Sequence, residues 1–231
     1  MKSNKIKFEA FDEYYFNVGN KPQPAAKYVP SWWKEMPKYG TEDRNANPFS
    51  NVTVKGCAPS IDMVTAGYII PMWCDINVSE INGAPQIGYG TQRSPVGIWP
   101  DFQSRDYAIP EDFHKTFFKF NNGWKIKTPP GWSCLFIHPA AYLDQPFRAI
   151  DGIVDTDILE TDINCPFVIK KGFNGIIEKG TPMVQVIPFK RENWESEYSM
   201  SAPGSHYLNQ QKLLSKVYGY YASMRAKKVY K

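Results

Sequence analysis

Apolar residues fall along this chain in short runs set between glycine, proline and asparagine. From Asn51 onward, NVTVKGCAP, AGYIIPMWCDINV, APQIGYG, GWKIKTPP, GWSCLFIHP, CPFVIKKGF, NGIIEKGTP and MVQVIPF follow one another. β-Branched and aromatic residues suit a pleated surface, and turn residues separate nearly all the runs, so the pattern predicts a sandwich or barrel of many short strands. Two stretches depart from it. In VPSWWKEMPKY, Pro30 and Ser31 mark a helix start, Trp32, Trp33 and Met36 supply an apolar side, and Pro37 ends it. In HYLNQQKLLSKVYGYYASMRAKK, Leu208, Leu213, Leu214, Val217, Tyr218, Tyr221 and Met224 recur at helical spacing behind a hinge-like SAPGS. The region Ser94–Phe120 is less regular and reads as an insertion with a short helix near Pro110–Phe118. The predicted organisation is an N-terminal extension with a short helix over 1–50, an all-β body over 51–191, and a linker with a basic amphipathic helix over 192–231.

Composition narrows this picture. At 231 residues and 42% hydrophobic, the chain can bury one sizeable core. Nineteen prolines argue against a helical bundle, and aromatics at 15% argue against disorder. No apolar run approaches the roughly 20 residues of a membrane span, and MKSNKIKFEAFDEYYF has no apolar core of a secretory signal. The expectation is a protein without a membrane partner that works inside a cell. Cys57, Cys74, Cys134 and Cys165 form no CxxC pair and read as reduced, mostly buried thiols. With only His114, His138 and His206 beside them, no metal site is predicted. The net charge of +4 is unevenly placed: no acidic residue follows Glu197, whereas Lys212, Lys216, Arg225, Lys227, Lys228 and Lys231 do. Such a tail is either a solvated helix end or a contact for nucleic acid.

The candidate chemistry centres on GIVDTD, Gly152 to Asp157. Gly152 permits a close backbone approach, and Ile153 and Val154 are expected to anchor a strand in the core. Asp155 and Asp157 then stand at its rim, where a carboxylate can accept a hydrogen bond from a sugar hydroxyl or orient a water. The alternative is that both cap a turn. His138, at the end of LFIHP, is the best of the histidines as a general base, its alternative being a strand-end histidine bonded to backbone. Lys170, Lys171, Lys179, Lys190 and Arg191 read as the solvated face of a sheet, the alternative being a basic strip on adjacent hairpins.

These residues carry a resemblance. Gly152–Asp157, then Lys179-Gly180-Thr181-Pro182-Met183-Val184-Gln185-Val186-Ile187, resemble paired motifs of the trimeric dUTPase and dCTP deaminase superfamily. Ile126–Trp132 is similar to that family's strand before its phosphate segment, and Asp62 followed by Ile69-Ile70-Pro71 to its first motif. The resemblance implies a β-clip barrel and a homo-oligomer, trimeric as in the family. It implies Asp155, Asp157, Asp62 and His138 as catalytic candidates, and Gly152, Ile153, Gln185 and Ser133 as ligand contacts. Mg2+ enters only with a nucleotide. The chain departs from the family where phosphate is held: Pro139-Ala140-Ala141 replace the polar pair, Ile158 replaces the aromatic, Leu159-Glu160 replace Arg-Gly, and no glycine-rich C-terminal loop is present. A triphosphate needs several donors, and this segment offers few. A second likeness runs through PPGWSCLFIHP, PFRAIDGIVDTD, NCPFVIKKGF and EKGTPMVQVIPFKRENW, which resemble an uncharacterised family of tailed phages, notably cyanophages, and of some bacteria. It implies a phage setting, in the host cytoplasm or the virion. Three functions follow: a non-catalytic interaction or assembly module, a deoxynucleotide-binding or nucleotide-hydrolysing protein using Asp155, and a nucleic-acid binder using the basic tail.

Overall fold

The computed structural model describes residues 4–18, 20–40, 52–209 and 224–231. Their strands are β1 (Lys7–Ala10), β2 (Gln23–Pro24), β3 (Tyr68–Pro71), β4 (Ile76–Ile81), β5 (Ala84–Tyr89), β6 (Val96–Ile98) and β7 (Phe113–Phe120). They continue as β8 (Trp124–Lys127), β9 (Trp132–Ile137), β10 (Phe147–Ala149), β11 (Gly152–Val154), β12 (Cys165–Lys170), β13 (Gly175–Ile177) and β14 (Pro182–Lys190). Helices are short: α1 (Glu13–Val18), α2 (Ser31–Glu35), α3 (Ala58–Thr65) and α4 (Asp101–Ser104). The chain is therefore mainly β.

The strands form four antiparallel sheets, ordered β11-β9-β14-β3-β2, β10-β12-β7-β6, β13-β4-β5 and β1-β8. None closes on itself, so the closed barrel suggested by the resemblance is not what these strands make. A single buried cluster serves all four sheets. Ile70, Phe136 and Val186 come from the five-stranded sheet, Phe118, Phe147 and Phe167 from the four-stranded one, Ile76 and Ile177 from the third, and Trp124 and Ile126 from β8. Trp73 is fully buried there and donates its indole N–H to the carbonyl of Asn121 at 2.8 Å, which satisfies its one polar atom.

The opposite face of the five-stranded sheet is covered differently. Trp33 of α2, Val64 of α3 and Ala141 form a second small cluster, so the predicted tryptophan helix exists and buries Trp33, while Trp32 stays 45% exposed. Two local predictions fail. NVTVKGCAP is not a strand: a 3-10 turn at Val54–Gly56 leads into α3, whose start holds Pro59, a residue suited to a first helical turn and unable to donate to a ladder. The helix predicted near Pro110–Phe118 is instead the long strand β7, whose backbone pairs with β12 on one side and β6 on the other while Phe117, Phe118 and Phe120 are buried on its faces. Of the predicted C-terminal helix, 205–209 are helical, 210–223 lie outside the described residues, and the helix does not continue over 225–228, where Arg225 and Lys228 instead reach Asp62. Among the described residues no helix is long and apolar enough to cross a membrane.

Candidate functional site

Strand register builds the GIVDTD end. β9 lies between β11 and β14, with Val154 opposite Cys134 on one side and Lys190 opposite Trp132 on the other. Extending both ladders by one step or a few puts Asp155 beside Ser133, and Asp157 and Arg191 on either side of Gly131. The contacts follow that register. Arg191 donates to Asp157 through Nη1 to Oδ1 at 2.8 Å and Nη2 to Oδ2 at 2.6 Å, a bidentate pair. The Gly131 N–H donates to Asp157 Oδ2 at 2.7 Å, and the Arg191 N–H to the Gly131 carbonyl at 2.8 Å. Fully buried Ser133 donates to Asp155 Oδ1 at 2.6 Å and accepts from Arg191 Nη1 at 3.0 Å. Arg191 also lies 3.2 Å from Asp155.

The two carboxylates therefore differ. Asp157 is 8% exposed at its side chain, and the Arg191 hydrogen bonds hold its carboxyl at about 2, well below the usual range. Both oxygens accept from Arg191 and Oδ2 also from the Gly131 N–H, so its lone pairs are committed to the protein and it is a weak base. Asp155 keeps 51% of its side chain in solvent and presents one oxygen outward. Behind them, Thr156 is buried, sharing a 2.7 Å hydroxyl bond with Thr128 and donating to Cys134 Sγ. The structure makes this a clamp that ties the ends of β9, β11 and β14 together.

The other candidates do not converge on it. Asp62 sits on α3 and accepts from Arg225 at 2.8 Å and Lys228 at 2.7 Å, so it docks the C-terminal residues; none of its hydrogen bonds or ion pairs reaches Asp155. His138 is 7% exposed; Nδ1 accepts from the Ala149 N–H at 3.2 Å, which makes Nε2 the donor to the Tyr142 carbonyl at 2.8 Å. Burial pushes its pKa down, keeping the ring neutral, and both nitrogens are spent on backbone. Gln185 is 1% exposed and bridges two layers: Nε2 donates to the carbonyls of Met63 and Ala66, both at 2.8 Å, and Oε1 accepts from Ala140 N–H at 3.0 Å. It is a staple between β14, α3 and the 139–142 turn.

Gly152 and Ile153 correct the expectation for this strand. A Cβ at Gly152 would meet nothing within 4 Å, and Ile153 is 64% exposed instead of being a core anchor. β11 is an edge strand whose alternation turns Ile153 outward with its partner Leu135, leaving only Val154 against the core.

No family model, curated protein or solved structure matches the chain.

Sequence reasoning missed Arg191 as a member of this group, having placed it on a solvated sheet face. The only local signal was the pair of carboxylates two residues apart, which can draw a cation if one of them is buried, and only the β14 register says that Asp157 and Arg191 meet. Among the described residues no group of three or more His, Cys, Asp or Glu is placed to hold a metal ion. Cys134 and Cys165 are buried thiols pushed up to about 11 and about 12 by desolvation, unsuited to nucleophilic work at neutral pH.

Proposed function

We propose that this protein is a non-catalytic interaction or assembly module, of phage type and distantly related to the β-clip enzymes it resembles in sequence. One observation carries the reading: the Arg191–Asp157 pair, closed by Gly131 and Ser133, uses the rim's polar groups to hold strands together. An enzyme site of the resembled kind would leave those groups for phosphate and sugar. The motif's spacing is kept while its chemistry has turned inward. The module would act in the host cytoplasm or the virion, as a homo-oligomer, without Mg2+.

A second reading has its own support. Asp155 is half-exposed beside Ser133 and Arg191, so a deoxynucleotide sugar could be met there, with Mg2+ on its phosphates. A panel of deoxy- and ribonucleotides, with and without Mg2+, measured by thermal shift on the wild type and Asp155→Asn, separates the two. A ligand at 100 times its dissociation constant stabilises by about 2.7 kcal/mol. The module reading expects no shift. A nucleotide that stabilises the wild type and not Asp155→Asn overturns it. The third reading, nucleic-acid binding, rests on a basic tail of which Lys212 and Lys216 lie outside the described residues while Arg225 and Lys228 pair with Asp62, and it expects salt-dependent binding lost on truncation after Gly204.

A further inference from the structure

After Arg191 the chain leaves the body. Residues 192–204 adopt no regular structure and nearly all are exposed, including Trp194 at 86%, Tyr198 at 92% and Met200 at 97%. Large apolar side chains this exposed lose the stabilisation that burial brings, about 25 cal/mol per Å² of apolar surface. Their spacing is ordered. In sequence, Trp194, Tyr198 and Met200 alternate with Glu195 and Glu197, a period of two that would set them on opposite sides of an extended chain. The segment thus has the residue pattern of an amphipathic strand but belongs to no sheet. It carries Glu195, Glu197 and Glu192, the last also paired with Lys190 of its own chain at 2.9 Å, and no basic residue.

The body holds a surface of opposite character. Two adjoining hollows of about 400 and 590 Å³ share Ile6, Tyr68 and Tyr230. Tyr68, Tyr230 and, at one end, Trp132 give aromatic walls, the two tyrosines meeting edge to face at 6.0 Å. Lys5, Lys27 and Lys228 stand along the rim, Lys228 also pairing with Asp62, and no Asp or Glu lines either hollow. The described structure leaves this groove uncovered, aromatic and basic.

We infer that the arm 192–200 of one copy docks in this groove of a second copy, with Trp194 and Tyr198 against the aromatic walls and the arm's negative charge set among the lysines of the rim. The inference rests on the module reading and names its partner as another copy of this chain. Docking within one chain is disfavoured by the root of the arm. Lys190 pairs with Trp132, a groove wall, so the arm would have to fold back at once. Arg191 is fixed there by Gly131 and Asp157, and neither glycine nor proline occurs from Arg191 to Ala202 to turn the chain. Extended, nine residues reach about 30 Å, against a radius of gyration of about 17 Å for a domain of this length.

The test is the solution mass of the full chain by light scattering after size exclusion, with thermal transitions recorded to confirm that each variant folds. The wild type should run as an oligomer. Trp194→Ala with Tyr198→Ala should bring it to the mass of one chain. Reversal of the arm (Glu192→Lys, Glu195→Lys, Glu197→Lys) should do the same, as should reversal of the groove (Lys5→Glu, Lys27→Glu). Both reversals in one chain should restore the oligomer. A monomeric wild type, or an oligomer whose mass ignores the arm variants, overturns the inference. An oligomer that ignores both the arm variants and nucleotides sinks the arm inference alone, a monomer also removes the homo-oligomer from the module reading, and a nucleotide response overturns the module reading at any mass.

Discussion

Asp157 and His138 are the residues whose environments change their chemistry most usefully for experiment. Asp157 is depressed to about 2 by Arg191, and in an unfolded chain it would titrate near 3.9. Its contribution is thus complete above about pH 4 and lost as pH falls toward 2. His138 is depressed by burial from an ordinary value of about 6.5. Its unfolded form takes up a proton first, so stability starts to fall below about pH 6.5 and stops falling on its account once the folded ring is protonated. Urea midpoints against pH should therefore decline in two windows. Asp157→Asn should flatten the lower window and leave the upper one, and His138→Gln should do the reverse. Slopes unchanged by either substitution would show that these groups do not set the acid response. At this scale the sequence identified the aspartates and the histidine as unusual. It did not reveal that Asp157 and His138 are saturated by neighbours, because saturation depends on partners such as Arg191 and Ala149, 34 and 11 residues away.

Elements form where local preference and a partner agree. The runs from AGYIIPMWCDINV to MVQVIPF all contain strands, since alternating β-branched and aromatic residues bounded by turn formers leave little else. β7 and α3 went the other way because their neighbours decided: β7 fills the space between two strands, and α3 lies over Gln185. The junction between α3 and β3 depends on Gly67, at φ +66°, where an added Cβ would sit 1.9 Å from the Val186 carbonyl oxygen. Gly83, at φ +75°, has open space. Gly67→Ala should cost at least about 2 kcal/mol, from strain and from displacing β14, and Gly83→Ala only about 1 kcal/mol, from strain alone. Chemical denaturation of the two variants checks this, and equal losses would remove the steric argument.

At the scale of the molecule, distant segments share one core. β1, at the start of the chain, pairs residue by residue with β8, Phe8 opposite Ile126, and packs Phe8 on Tyr68 at 5.2 Å. β2 joins the edge of the five-stranded sheet through Gln23 and Pro24. Deleting residues 1–12 should therefore uncover Trp124 and Ile126 and lower the melting temperature by several degrees, measured by circular dichroism; a deletion that melts with the full chain would show that β1 is dispensable. The sequence by itself determined the β-rich character, most strand positions, the Trp33 helix and the place of the GIVDTD turn, because periodicity and turn chemistry act over a few residues. Tertiary structure alone decided that the strands divide into four open sheets and that Ile153 faces outward on an edge. It also decided that Arg191 closes on Asp157, and that an aromatic arm stands opposite in charge to a basic groove. Those outcomes follow from register and sheet order, which join residues far apart in the chain, and a local pattern carries no information about which strand will lie beside it.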